Sequence, residues 1–263
     1  MRLVPSVRTY GEEHFNLGAV LEGKGLSRVS VCLPARDEDA TIGAVIESSV
    51  LPHLAPGGSG LVDELVVVDD GSTDATAEIA RGAGARVVSR QPGGDKGRAM
   101  AAAFEASVGD VVVFLDADVE NANADFVPRL VGPLFIYEAV LVKGFYERPF
   151  NGQPSGGGRV TELLARPLIE LLFPALVDVR QPLAGETAAH RWVFEKVGFA
   201  PGYGVEIGLL IDVVRDFGAE SIAQVDLGVR VHRNRPLAEL RPHADDVLRT
   251  ALGRAGVTDP TAG

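Results

Sequence analysis

The chain has 263 residues, of which 46% are hydrophobic and 23% charged, and its formal net charge is −11. These proportions suit a globular protein and exclude a disordered or fibrous one, and the negative balance argues against broad binding to nucleic acid or anionic lipid, both of which need clustered Lys and Arg. Cys32 is the only cysteine, so no intramolecular disulfide can form, and each apolar stretch is broken well short of membrane-spanning length. A cytoplasmic protein, neither secreted nor anchored, is expected.

In chain order, short β-branched runs alternate with Ala-rich stretches of helical period. Strands are predicted at Val29–Leu33, Glu64–Val68, Arg86–Val88 and Val111–Leu115, with helices at Ala40–Leu51, Asp74–Ala83 and Gly97–Val108. This alternation predicts an α/β fold with a Rossmann-type, mainly parallel sheet and helices on both faces. The runs Val66–Val68 and Val111–Phe114 are wholly apolar, which implies burial on both faces and a central position, with ligand groups gathered at the C-terminal strand ends. Ser72, Thr73 and Asp74 offer N-caps for the helix that follows, and Gly82 and Gly84 end it.

The polar, Gly- and Pro-rich segment Asn151–Gly158 reads as a flexible loop. Beyond it, helices are predicted at Val160–Phe173, Val205–Phe217 and Leu237–Gly256, with a strand near Ser221–Leu227. The chain is expected to form one continuous globule whose residues 1–150 and 151–263 differ in role.

Asp116-Ala117-Asp118 follows a buried strand, so two carboxylates emerge where ligands bind. Hard oxygen ligands of this kind suit Mg²⁺ or Mn²⁺ held against a diphosphate. Taken alone, the D-x-D pattern serves equally well as a solvated turn. Leu33–Glu38 and Val68–Asp74 end the first two strands in the same way, and their acids can accept hydrogen bonds from a base N–H or ribose hydroxyls. Asp74 reads as a helix cap, Asp70 less so. Neither turn carries G-x-G-x-x-G, which disfavours a dinucleotide oxidoreductase.

These three strand-end motifs, in this order, resemble the nucleotide-sugar half of a GT-A glycosyltransferase. The second half adds Gly156–Glu162, Ala200–Gly208 and Val231–Pro236. Together they are similar to the retaining glucosyl-3-phosphoglycerate synthases of actinobacterial type, over about Val29 to Leu237. The resemblance implies a metal-dependent hexosyltransferase that moves glucose from UDP-glucose, or another nucleotide sugar, to 3-phosphoglycerate. It implies that Pro34, Ala35, Glu38 and Asp70 hold the uridine, that Lys96 and Asp116 meet the donor, and that Tyr203 and Glu206 line the sugar pocket. Asp118 and His232 would ligate Mg²⁺ or Mn²⁺. Gly158, Arg159, Val160, Thr161 and Asn234 would hold the acceptor. Residues 1–150 then form the nucleotide-sugar half and residues 151–263 the half that binds the acceptor and completes the metal site, with a homodimer as the candidate assembly.

The residue chemistry agrees with these roles. Gly156–Gly158 precede a predicted helix start with free N–H groups, Thr161 supplies a hydroxyl and Arg159 a bidentate fork, which together make an anion site. Glu206 on an otherwise apolar helix is costly to bury without a partner, and a substrate hydroxyl would serve. Asp118, Glu206 and Arg159 are therefore the candidate catalytic residues, with Glu206 the only carboxylate to suggest itself for a double displacement. Two positions depart from the family pattern: Asp95 adds a negative charge beside Lys96, and Arg36 replaces an apolar residue near the base. A related transferase with another acidic or polyhydroxylated acceptor is the main alternative. A nucleotidyltransferase lacks its phosphate loop here, and a non-catalytic sensor would not need Asp118 and His232.

Overall fold

The computed structural model describes residues 6–91, 93–147, 149–150, 153–156, 158–231 and 236–257. It begins with a short strand β1 (Arg8–Tyr10) and helix α1 (Leu17–Lys24). The predicted alternation follows: β2 (Val29–Ala35), α2 (Ile42–Val45), β3 (Glu64–Asp69), α3 (Thr76–Gly82), β4 (Arg86–Ser89), α4 (Lys96–Ala106) and β5 (Val111–Phe114). Next come α5 (Phe126–Ile136), β6 (Leu141–Glu147), β7 (Pro149–Phe150), β8 (Gln153–Gly156), α6 (Arg166–Leu172), β9 (Thr187–His190), α7 (Arg191–Val197), α8 (Val205–Phe217), β10 (Ile222–Val229) and α9 (Leu237–Arg254).

Eight strands form one sheet in the order β1-β10-β6-β9-β5-β2-β3-β4. All pairs are parallel except those of β9, which runs antiparallel to both β5 and β6. Both halves of the chain therefore contribute strands to the same sheet. β5 is central as its apolar run predicts, whereas β3 has only β4 outside it.

Alternate residues feed two cores, one on each face of the sheet. Val31, Leu33, Val67, Val111 and Val113 pack with α1, α2, α3 and α5. Cys32, Val66, Val68, Val112 and Phe114 pack with α4, α6, α7, α8 and α9. Period-two alternation with both faces covered is what makes these strands continuously apolar. Burial pushes the Cys32 thiol up to about 12, leaving an inert core side chain.

Three elements differ from expectation. The expected loop at Asn151–Gly158 contains β8, which pairs antiparallel with β7; a two-stranded hairpin satisfies backbone groups that the polar composition left to water. The helices expected over 40–51 and 160–173 each contain a wider π-type turn, at Ile46–Val50 and Thr161–Ala165. A proline follows closely in both cases, Pro52 and Pro167, and a proline has no N–H for the ordinary helical bond. Asp74 caps α3 from one residue outside: its Oδ1 accepts from Thr76 N at 2.9 Å, while the N-cap position itself is Ala75.

The first turn of α4 lies against the Ala200–Pro201 backbone, and a Cβ on Gly97 would run into the Ala200 carbonyl. Gly97→Ala is expected to cost about 1–3 kcal/mol of stability through this clash. Gly82→Ala, at a helical position with open space around it, should be neutral or slightly stabilising. Urea denaturation of both variants checks the contrast.

Candidate active site

Parallel pairing brings the C-terminal ends of β2, β3, β5, β6 and β10 to one edge of the sheet, and the reversal of β9 brings its N-terminal end to that same edge. A cleft of about 670 Å³ opens there. It is lined by Pro34, Ala35 and Glu38 from the end of β2, Asp70 after β3, Lys96 at the start of α4, and Asp116 and Asp118 after β5. Gly158, Arg159, Val160 and Thr161 line it too, as do Tyr203 and Glu206. The residues singled out from sequence thus share one cleft, apart from His232 and Asn234, which lie outside the described residues.

At its centre is a buried charge cluster. Lys96 Nζ lies 2.9 Å from Asp116 Oδ1 and 2.6 Å from Glu206 Oε1. Arg230, which sequence reasoning did not single out, donates through one nitrogen to Asp116 Oδ2 at 3.0 Å and Asp118 Oδ1 at 2.7 Å. Its other terminal nitrogen reaches Glu186 Oε1 at 2.8 Å and the Tyr146 hydroxyl at 2.7 Å. Gly185 makes room for this arrangement, since a Cβ there would overlap the Asp116 carboxylate. Lys143, fully buried, donates to the Ala184 carbonyl and to Thr187 Oγ1.

Burial works against the charge on Asp116, but Lys96 and Arg230 more than offset it and hold the carboxyl well below the usual range. Burial also opposes the charge on Lys96, and Asp116 and Glu206 outweigh it, so this ammonium stays protonated. Lys143, bonded to uncharged partners, is lowered by burial to about 8. Burial raises Glu186 against the pull of Arg230.

The two D-x-D carboxylates converge on a point that a cation already occupies, the guanidinium of Arg230. Hard oxygens aimed at a cation are the donor set that Mg²⁺ and Mn²⁺ take, so the residues fit such an ion. Among the described residues no group of three or more Asp, Glu, His or Cys is placed to hold a metal ion.

The turns after β2 and β3 are tied together. Asp37 Oδ1 accepts from Thr73 N at 2.7 Å, Asp37 N donates to Ser72 Oγ at 3.0 Å, and Glu38 N donates to Thr76 Oγ1 at 2.8 Å. Asp70 is buried, with Oδ1 accepting from Arg90 at 2.8 Å. Its Oδ2 accepts from Asp95 N at 3.2 Å, so both oxygens are engaged where the residue lines the cleft. On the far wall the Tyr203 ring stacks on His243 of α9 at 3.4 Å between centroids.

The profile of glycosyl transferase family 2 matches residues 30–179. A glucosyl-3-phosphoglycerate synthase of Mycolicibacterium paratuberculosis is 48% identical over 97% of this chain and 81% of its own. One from Petrotoga mobilis is 43% identical over 86% of this chain and 73% of its own. The crystal structure of glucosyl-3-phosphoglycerate synthase from Mycobacterium tuberculosis with Mn²⁺, UDP-glucose and phosphoglyceric acid superposes with a TM-score of 0.87 at 46% identity, covering 99% of this chain and 91% of that one. The same enzyme has been solved with Mg²⁺ and UDP.

The depressed Asp116 carboxyl has a consequence for acid stability. Its folded-state value lies below the ordinary 3.8, so its contribution is complete above that pH and is lost as pH falls through and below it. Asp116→Asn should therefore show a shallower loss of stability than the wild type between pH 5 and about pH 3. Urea titrations in EDTA at the two pH values measure this.

Proposed function

As the chain belongs to glycosyl transferase family 2 and, within it, to the glucosyl-3-phosphoglycerate synthases, we propose that it transfers glucose from UDP-glucose to 3-phosphoglycerate, giving glucosyl-3-phosphoglycerate. The observation that carries this reading is the single cleft in which the nucleotide-side turns, the D-x-D carboxylates and the Gly158–Thr161 segment meet. The proposal includes a cytoplasmic site of action, where both substrates are metabolites.

In this reading Pro34, Ala35, Glu38 and Asp70 hold the uridine, with Asp70 oriented by Arg90. Asp118 and His232 hold Mg²⁺ or Mn²⁺, which supplies positive charge against the leaving diphosphate. Lys96, steadied by Asp116 and Glu206, places a permanent ammonium beside the donor. Tyr203 and Glu206 bound the glucose. The acceptor phosphate sits on the backbone and side chains of Gly158, Arg159, Val160 and Thr161, with Asn234 beside it, so that its free hydroxyl faces the anomeric carbon.

The acceptor oxygen forms its bond to that carbon on the face from which UDP departs, and the hydroxyl proton passes to the departing phosphate oxygen. This retains the anomeric configuration. Glu206 makes a poor covalent nucleophile here, because its carboxylate is engaged by Lys96 at 2.6 Å. The front-face route is therefore the better supported. Residues 1–150 then carry the nucleotide-sugar side of the cleft, and residues 151–263 bind the acceptor, complete the metal site and close the sugar pocket.

Incubation with UDP-glucose, 3-phosphoglycerate and Mn²⁺ should give glucosyl-3-phosphoglycerate by mass spectrometry, and EDTA or Asp118→Ala should abolish it. Arg159→Lys keeps the charge but loses the fork. It should raise the acceptor KM roughly tenfold with UDP affinity nearly unchanged, in line with about 1.5–3 kcal/mol for a charge-assisted hydrogen bond. Use of glycerate as readily as 3-phosphoglycerate would show that no phosphate clamp exists and that another acceptor must be sought.

A further inference from the structure

Asp95 stands next to Lys96, where a further negative charge would weaken the ammonium's hold on an anionic donor. Its carboxylate is turned away from that task. Oδ1 accepts from Arg98 N at 2.9 Å, capping α4, and from Gly202 N at 2.7 Å. Oδ2 lies 3.3 Å from Arg98 Nε, so the charge is offset on the outer side. Asp95 N in turn donates to Asp70 Oδ2 at 3.2 Å.

Gly202 begins the one-turn 3₁₀ segment Gly202–Gly204 that leads into α8. Asp246 of α9 takes the next amide, Tyr203 N, at 3.0 Å. Two carboxylates from two helices thus hold successive N–H groups of one turn. Gly202 has φ +70, and a Cβ there would strike the Asp246 carboxylate, so the turn's path leaves no room for another residue. Tyr203 projects from this turn and Glu206 follows one turn of chain later, bonded to Lys96.

From this geometry we propose that Asp95 is a positioning residue for the donor sugar: by tying the start of α4 to the Gly202–Gly204 turn, it fixes Tyr203 and Glu206 at a set distance from Lys96. The proposal rests on the reading of the cleft as a UDP-glucose site. Asp95 is tied to Asp70, on the nucleotide side of the cleft, through its backbone N–H, which a side-chain change leaves in place, whereas it holds the Gly202 turn through its side chain. Its loss should therefore be felt by the glucose and not by UDP. A hydrogen bond from an amide to a carboxylate is about twice as strong as a neutral one, which makes the tie worth measuring.

Three variants separate the tie from the helix cap. Asp95→Ser still caps α4 but is too short to reach Gly202 N, Asp95→Asn keeps an acceptor at the same reach, and Asp95→Ala loses both functions. Calorimetric titration of each full-length variant with UDP and with UDP-glucose, in Mn²⁺, gives the ratio of the two dissociation constants. For Asp95→Ser we expect UDP affinity within about twofold of wild type and a UDP-glucose affinity weakened about tenfold, the scale of one charge-assisted hydrogen bond. Asp95→Asn should recover most of that loss. Asp95→Ala should match Asp95→Ser in the ratio while melting at a lower temperature, since a purely structural role would move Tm without moving the ratio. An unchanged ratio in Asp95→Ser, or equal weakening of both ligands, overturns the proposal. A wild type that does not turn over UDP-glucose overturns the donor reading beneath it.

Discussion

The guanidinium of Arg230 touches three carboxylates at once, and the edge of the sheet is organised around it. Asp116, Asp118 and Glu186 arrive from two strands of opposite direction, and each is wholly or largely withdrawn from water. Removing carboxylates from water costs several kcal/mol apiece unless a cation and hydrogen bonds compensate. Arg230 supplies both through a planar fork, with the Tyr146 hydroxyl taking one more of its donors. Lys could not substitute, because a single ammonium cannot span three acceptors spread along two edges of a plane. The antiparallel strand β9 is thereby held in place at its N-terminal end as well as by its ladder to β5 and β6.

That arrangement explains which parts of the fold could be read from the sequence. β2, β3, β5, α8 and α9 lie within a few residues of expectation, because burial on both sheet faces writes continuous apolar runs and an amphipathic helix writes its period. β9 is only Thr187–His190 and has no such run, and its place between β5 and β6 depends on partners far away in sequence. α5 carries Pro128 and Pro133, which read locally as breakers although tertiary packing keeps the helix. The same division holds for the cleft. Residues at the ends of apolar strands stood out, while Arg230, Glu186 and Lys143 did not, since each is a single charge whose meaning comes from what the sheet sets beside it. Lys143 did leave a trace: it interrupts the otherwise uncharged run Leu141-Val142-Lys143-Gly144-Phe145, and the structure buries it there, where a cation needs partners.

The cleft is also a seam. One wall belongs to strand ends β2, β3 and β5, the other to the turn before α8 and to α9, and the two meet where Lys96 reaches Glu206 and where Gly97 touches Ala200. Beneath the seam the rings of Phe104, Phe114, Phe194 and Phe199 pack at 5.3 to 5.9 Å between centroids. An interdigitated aromatic layer resists sliding. Small errors of placement between donor and acceptor are costly in group transfer, and a rigid floor under both walls limits them.

Charge decides the rest. The chain carries a net −11, and its proposed substrates are both anions, so long-range attraction cannot gather them. Within the cleft the described cations Arg36, Lys96, Arg159 and Arg230 are outnumbered by Asp37, Glu38, Asp70, Asp116, Asp118, Glu206, Glu239 and Asp246. Several of those acids are already engaged: Asp70 by Arg90, Asp116 by Lys96 and Arg230, Asp246 by a backbone amide. What remains is still an acidic pocket asked to accept a diphosphate and a phosphate. A divalent cation held by the D-x-D carboxylates, as proposed, would add positive charge at the point where the leaving group gathers its negative charge. On that proposal a metal would answer the pocket's own charge balance as well as the chemistry of the leaving group.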